Sequence, residues 1–277
     1  MIPAAFEYKR AGSVDEAIAA LAGGDCKLLA GGHSLVPAMK LRLNQPSKLV
    51  DIANIAALKG IKENKGEIVI GAAVTHHEIA VNDIIKNYLH FFSQGALLIG
   101  DLQVRNYGTI GGSLAHADPS SDWPAMVLAA DGMIDVTSSG GSRSIKATDF
   151  FTGLFSTQLK EDEIITAIRI PIPPTGTKTV YLKFRHPASR FAVVGCAVLR
   201  EPDGNTHIGF TGISEAPFRD SATEKTISAK ALDEKTIDAA VNASLNDVTF
   251  LGDFFASQEY RKHLARVYLK RALQAVV

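Results

Sequence analysis

Ala30-Gly31-Gly32-His33-Ser34 and Thr109-Ile110-Gly111-Gly112-Ser113, about eighty residues apart, are two glycine loops set between apolar segments. A residue without a Cβ lets the backbone approach an anion closely and take up positive φ, so that successive N–H groups converge on it. Two such loops can grip one diphosphate from both sides, and the hydroxyls of Ser34, Thr109 and Ser113 are further donors. That is the chemistry of a nucleotide cofactor. The other glycine pairs have plainer readings: Gly23-Gly24 stops a helix and Gly140-Gly141 turns a hairpin. No G-x-x-x-x-G-K-[ST] and no G-x-G-x-x-G occurs, which disfavours a P-loop ATPase and a Rossmann dehydrogenase.

Around the first loop the pattern reads as an α/β unit. Ser13-Val14-Asp15-Glu16 is a capping box before a short amphipathic helix, and Lys27 to Ala30 is a strand. Leu35 to Leu43 is a helix with Pro37 in its opening turn, and Lys48 to Ile52 a second strand. A second unit begins with a hairpin, Gly60 to Glu63 and Glu67 to Gly71 around Asn64-Lys65-Gly66. Thr75-His76-His77-Glu78 is another capping box, and helical pattern runs from it to Ile99. A helix is expected from Pro124 to Ala130, with strands at 134–137, 143–145 and 164–170. Pro171 to Gly176 reads as a linker. Beyond it come three antiparallel strands, 179–185, 191–200 and 207–213, the last two joined by Pro202-Asp203-Gly204-Asn205. Helices are expected at 220–231, 233–245 and 258–275. The class is α+β in three pieces: 1–56, 57–174 and 175–277.

Bulk properties exclude some functions. Lys plus Arg and Asp plus Glu are both 29, leaving no basic excess for a nucleic acid backbone or an anionic membrane. No charged leader opens the chain and no stretch approaches about 18 uncharged apolar residues. A cytoplasmic protein with no membrane insertion is expected. Cys26 and Cys196 lie far apart, so an iron–sulfur cluster or structural zinc held by this chain alone is excluded. His76 and His77 are adjacent and fall on different helix faces, and His116-Ala117-Asp118 resembles a ligand pair only superficially. No metal site is expected.

Three stretches carry a family resemblance: Leu29 to Leu35, Ile99-Gly100-Asp101-Leu102-Gln103-Val104-Arg105-Asn106-Tyr107-Gly108-Thr109-Ile110-Gly111-Gly112-Ser113, and Asp118-Pro119-Ser120-Ser121-Asp122. They resemble the FAD-binding medium subunit of molybdenum hydroxylases, the group that includes the aerobic carbon monoxide dehydrogenase medium chain and the flavin domain of xanthine dehydrogenase. The resemblance spans nearly the whole chain. It implies a vanillyl-alcohol-oxidase-like (PCMH-type) FAD-binding fold in two subdomains, with a C-terminal α+β domain carrying a three-stranded antiparallel sheet and helices. It also implies FAD held through Leu29, Ala30, Gly31, Gly32, His33, Ser34, Leu35, Thr109, Gly111, Gly112 and Ser113. Ile99 and Gly100 would lie against the isoalloxazine, Asp122 would accept hydrogen bonds from a cofactor hydroxyl, and Asp118, in the same motif, would be a further cofactor-binding residue. Ile164 and Ile165 would contact the adenosine half or its surroundings, and Phe191 would cover the ring. Lys183 is the match to a basic residue near the flavin, unless a local shift makes it Arg185. Two departures stand out: Ser113 occupies a position where relatives often have Asn, and Arg190 precedes Phe191 where several have an acid.

The implied role is electron transfer within a complex. A large partner would carry the molybdenum cofactor and a small one [2Fe–2S] clusters, assembled as a dimer of heterotrimers, with FAD passing electrons to an external acceptor. Two rival functions remain. Gly-Gly-His-Ser also occurs in self-contained flavin oxidases, where the cofactor would be attached at His33. A non-catalytic scaffold is the other, disfavoured by two intact glycine loops. Individual residues have simpler readings too: Asp122 can cap the helix that follows it, and Lys183, alternating with apolar residues in a strand, can face solvent.

Overall fold

The computed structural model describes residues 1–277. Its first sheet is wholly parallel, in the order β1 (Glu7–Arg10), β3 (Lys48–Asp51), β2 (Cys26–Leu29). Parallel neighbours need crossovers, and α1 (Val14–Leu21) and α2 (Leu35–Lys40) supply them. Ser13 caps α1 by accepting the Glu16 N–H, but the Glu16 carboxylate takes the N–H of Gly12 rather than that of Ser13. The predicted box is therefore only half formed. Helix α2 stops short of Leu43, since Arg42 turns to a φ of 59°. Strand β1 was not expected: it is largely exposed and lacks apolar alternation, so its pairing with β3 is set by tertiary contact alone.

The second sheet has five antiparallel strands in the order β4 (Ile61–Asn64), β5 (Glu67–Gly71), β10 (Ile164–Pro171), β6 (Met133–Ser138), β7 (Gly141–Lys146). Its hairpins turn where glycine is required, at Gly66 with φ 82° and at Gly141 with φ 116°. Isoleucines 68, 70, 134, 168 and 170 point into the largest core, which α3 (His76–Val81), α4 (Asp83–Tyr88), α5 (His90–Leu97), α7 (Ile110–His116) and α8 (Trp123–Ala129) complete. The helical stretch expected from residue 75 to 99 is thus three short helices. Asn82 ends α3 and caps α4, and Leu89 leaves helical geometry before α5. A further helix, α6 (Leu102–Tyr107), capped by Asp101, was also unexpected. A short helix α9 (Ala147–Phe150) and the small hairpin β8 (Phe151–Gly153), β9 (Ser156–Thr157) finish this part. No helix is long and apolar enough to cross a membrane.

The third sheet corrects the expected strand count. Beside β11 (Lys178–Arg185), β12 (Ala192–Arg200) and β13 (Thr206–Thr211) runs a two-residue fourth strand, β14 (Phe218–Arg219). Residues 192–199 of β12 are buried without interruption, because both faces of the sheet are covered. On one side lie α10 (Ser221–Ile227), α11 (Glu234–Ala243) and α12 (Gln258–Ala275), forming the second core with the strands. On the other lies α8, whose backbone comes so near β13 that a Cβ on Gly209 would collide with the Ala125 carbonyl. That close approach joins the third sheet to the largest core, to which α8 belongs, and fixes the position of Asp122, immediately before α8.

Candidate functional site

The first glycine loop connects β2 to α2. Gly32 has φ 72°, and a Cβ on Gly31 would strike the Tyr107 carbonyl and lie 2.7 Å from the Gly108 Cα. The loop therefore packs backbone against backbone on the segment leading to the second loop. None of the N–H groups from Ala30 to Leu35 donates to an acceptor within the chain. Successive unpaired donors of this kind are what an anion needs and what a protein rarely leaves unmatched.

The second pair differs from expectation. Gly111 and Gly112 lie in the first turn of α7 and have no positive φ. Thr109 caps the helix, accepting the Gly112 N–H at 3.1 Å, while the Ile110 and Gly111 N–H groups donate to Val74 and Ala72. Glycine is needed here for space: a Cβ on Gly111 would sit 2.6 Å from the Ala72 Cβ and 2.7 Å from its carbonyl oxygen. The Ser113 hydroxyl pairs with that of Ser121 at 2.6 Å.

Between the loops opens a cavity of about 690 Å³. It is lined by Leu29, Ala30, Gly31, Gly32, His33, Ser34 and Leu35 from the first loop, and by Thr109, Gly111, Gly112 and Ser113 from the second. Ile99, Gly100, Asp118, Asp122, Ile164, Ile165 and Phe191 also face it, so of the predicted site residues only Lys183 is absent from the wall. Asp118 accepts the Ser120 N–H at 2.8 Å, shaping the turn that brings Ser121 and Asp122 to the cavity.

Lys183 stands directly behind. Its side chain is 1% exposed, so the solvent-facing reading fails, and its ammonium donates to Asp122 at 2.8 Å and to the Leu98 carbonyl at 3.2 Å. The second Asp122 oxygen accepts the Tyr181 hydroxyl, and the carboxylate makes no cap bond to α8. Burial pushes the Asp122 carboxyl up, and Lys183 and Tyr181 pull it back. The Tyr181 phenol is pushed well above its usual range by burial and by Asp122. Arg185 is exposed at the strand end.

Sequence reasoning missed the groups that hold the Leu97–Gly100 segment. Arg105 donates to the carbonyls of Ile99 at 3.0 Å and Gly100 at 3.3 Å, and Arg190 to that of Gly100 at 3.0 Å. With Lys183 on Leu98, three cations hold the carbonyls of this segment. Gly100 accepts the strain at φ 47°. His76 was missed as well, although its capping box was visible. The box forms in full, and His76 is 6% exposed, its Nδ1 accepting the Trp123 indole N–H at 3.0 Å. Burial, with repulsion from His33 and Arg105, holds its pKa at about 3. His33 is exposed, its Nε2 3.3 Å from the Gln103 carbonyl. Cys26 lines the cavity and Cys196 is buried in β12, its thiol pushed up by burial.

A run of unpaired backbone donors, glycines packed too closely for any side chain, and apolar walls from Ile99, Ile164 and Ile165 fit a dinucleotide with an apolar ring system. The class is that of a flavin-binding α+β protein. Residues 4–173 match the family described as FAD binding domain in molybdopterin dehydrogenase, and residues 179–276 match the CO dehydrogenase flavoprotein C-terminal domain. The chain belongs to this FAD-binding family. It is 37% identical to the carbon monoxide dehydrogenase medium chain of Hydrogenophaga pseudoflava, over 99% of this chain and 98% of that one. It is 36% identical to the glyceraldehyde dehydrogenase medium chain of Sulfolobus acidocaldarius over the full length of both. Among solved structures, carbon monoxide dehydrogenase from Hydrogenophaga pseudoflava, in a form lacking the Mo-pyranopterin moiety, superposes with a TM-score of 0.96. That match has 37% identity and covers 100% of this chain and 98% of the other. FAD is the cofactor, and the chain is an oxidoreductase subunit of the medium-chain type.

Proposed function

We propose that this chain receives electrons from [2Fe–2S] clusters on a small partner and passes them through FAD to an external acceptor: NAD, a quinone or oxygen. Substrate oxidation belongs to a molybdenum cofactor on a large partner, and the assembly is a dimer of heterotrimers in the cytoplasm. FAD, when bound, supplies the redox chemistry. The chain's residues hold it: donors from Ala30 to Leu35 on the diphosphate, Ile99 and Gly100 against the ring, Phe191 over it, and Ile164 and Ile165 beside the adenosine half. Asp122 accepts a cofactor hydroxyl, Asp118 shapes the turn that presents it, and Lys183, through Asp122 and Leu98, sets the charge near the flavin. Residues 1–56 and 57–174 form the two FAD-binding subdomains and 175–277 the C-terminal domain.

The observation that carries this reading is that the buried carboxylates on the cavity wall are already held. Asp122 is bound by Lys183 and Tyr181; Glu163 takes two bonds from Arg143, at 2.7 and 2.8 Å, and the Lys160 N–H at 2.9 Å. Arg143 keeps the Glu163 carboxyl below its usual range. A wall whose buried carboxylates are all engaged suits holding a cofactor better than transforming a substrate. The test is reconstitution: substrate of the complex should bleach the flavin only when the large and cluster-bearing partners are restored. Turnover of an organic substrate by this polypeptide alone, with flavin resisting release by acid, would instead establish the self-contained oxidase attached at His33.

A further inference from the structure

His76 lies outside every group assigned above. Its Nδ1 faces the Trp123 indole, and an indole N–H can only donate. Nδ1 must therefore accept, which places the ring proton on Nε2. That nitrogen has no partner within the chain, although the residue is 6% exposed and borders the cavity. A donor that the chain leaves unmatched on a cavity wall is free for a ligand, so its position matters. A Cβ on Gly108 would lie 2.6 Å from Nε2, and Gly108 is the residue against which Gly31 packs. Nε2 therefore lies beside the seam where the first glycine loop packs on the segment leading to the second.

We propose that His76 is a further binding residue of the FAD site, its Nε2–H donating to an oxygen of the diphosphate at that seam. The proposal rests on the FAD site described above. Flanking charge agrees with an anionic acceptor: Arg105 and His33 are the basic groups nearest the ring, while Glu78 on the same helix is engaged with Thr75. The ring itself stays neutral near pH 7. It thus acts as a fixed donor whose tautomer is set by Trp123.

Two variants of the full chain test it. His76→Phe removes the donor and should weaken FAD binding about ten- to a hundredfold, the effect of losing one hydrogen bond to a charged group. His76→Gln keeps a donor and should remain within about threefold of wild type. In ³¹P spectra of the FAD-loaded protein, at least one of the two phosphate resonances should move in His76→Gln while the visible flavin spectrum is unchanged. On the wild-type chain, ¹⁵N imidazole spectra should show Nε2 protonated with and without FAD, and its proton should shift when FAD is added. If the ³¹P resonances of His76→Gln coincide with wild type, or the His76 Nε2 proton ignores FAD, the assignment is wrong while FAD binding itself stands.

Discussion

The two glycine pairs share a dipeptide and one cavity, yet they work by different physics. At Gly31-Gly32 the backbone leaves regular structure, Gly32 adopts φ 72°, and the N–H groups from Ala30 to Leu35 are left without partners. At Gly111-Gly112 the backbone is helical, Thr109 caps the turn, and the N–H groups from Ile110 to Ser113 are satisfied within the chain. The first loop leaves its donors free; the second makes room. Gly31 and Gly111 resemble each other more than either resembles its neighbour, since both are pressed onto another segment's backbone. The same two letters thus encode conformation at Gly32, clearance at Gly31 and Gly111, and an open face at Gly112.

The largest effects should come from the clearance positions. Gly31→Ala would drive a methyl into Tyr107 and Gly108, and Gly111→Ala into Ala72, in each case against backbone that cannot swing aside. Overpacking of this kind costs about 3 kcal/mol, and FAD binding should be lost with the seam. Urea unfolding measures it; stability within about 0.5 kcal/mol of wild type for either variant would show that the loops do not meet this closely.

The floor under that seam should reveal itself through pH. His76 is depressed to about 3 when folded, against roughly 6.5 in an unfolded chain. The unfolded state therefore takes up the proton first. His76 contributes stability that is present above about pH 6.5 and is lost as pH falls toward 3. From pH 6.5 to 5.0 the wild type should lose about 2 kcal/mol more than His76→Gln. Parallel stability curves for the two proteins over that range would mean that the imidazole is not buried beneath Gly108.

Much of this was legible in the sequence, for reasons that particular residues show. Caps such as Thr75-His76-His77-Glu78 act locally, so their chemistry is written in adjacent letters, and the isoleucines of β10 announce a buried strand by pattern alone. Gly31-Gly32 and Gly111-Gly112 marked the cavity because, unlike Gly23-Gly24 and Gly140-Gly141, they had no plainer reading as a helix stop or a hairpin turn. What was hidden depends on distant segments. Gly111 needs its space because of Ala72, Lys183 is buried because Asp122 and Leu98 receive it, and Tyr181 reaches Asp122 only after α8 has packed on the third sheet. Arg105 and Arg190 converge on Gly100 from segments far apart in the chain, and no spacing rule predicts that meeting. Where pattern was weak, as in β1, pairing with β3 overrode it.

Gly32 should show an intermediate effect. An alanine forced into the left-handed region is strained by about 1–2 kcal/mol, and its Cβ would also lie 3.2 Å from both Leu29 and Val36 side chains. Asparagine tolerates that region better, so Gly32→Asn should be closer to wild type in stability than Gly32→Ala. Equal loss in the two would place the penalty in crowding and erase the distinction from Gly31.

Gly112 should give the smallest change in stability and the cleanest separation of fold from function. It is exposed and helical, and apart from the Thr109 hydroxyl at 2.8 Å the nearest atom to an added Cβ is Ala30 Cβ at 3.9 Å, across the gap between the loops. Alanine gains up to about 1 kcal/mol of helix propensity, and the displaced Thr109 cap returns about the same, so Gly112→Ala should unfold within about 0.5 kcal/mol of wild type. Its methyl nevertheless projects into the gap between the loops, where the proposed site puts the diphosphate, and FAD affinity should fall about tenfold or more, read by flavin fluorescence; Gly112→Val should abolish binding. Gly140→Val in the β6–β7 turn is the control, since a Cβ there meets only Ser138 Oγ at 3.7 Å. If Gly112→Ala held FAD as tightly as Gly140→Val does, the second loop would be a structural helix start alone, and the diphosphate would belong entirely to the donors of the first.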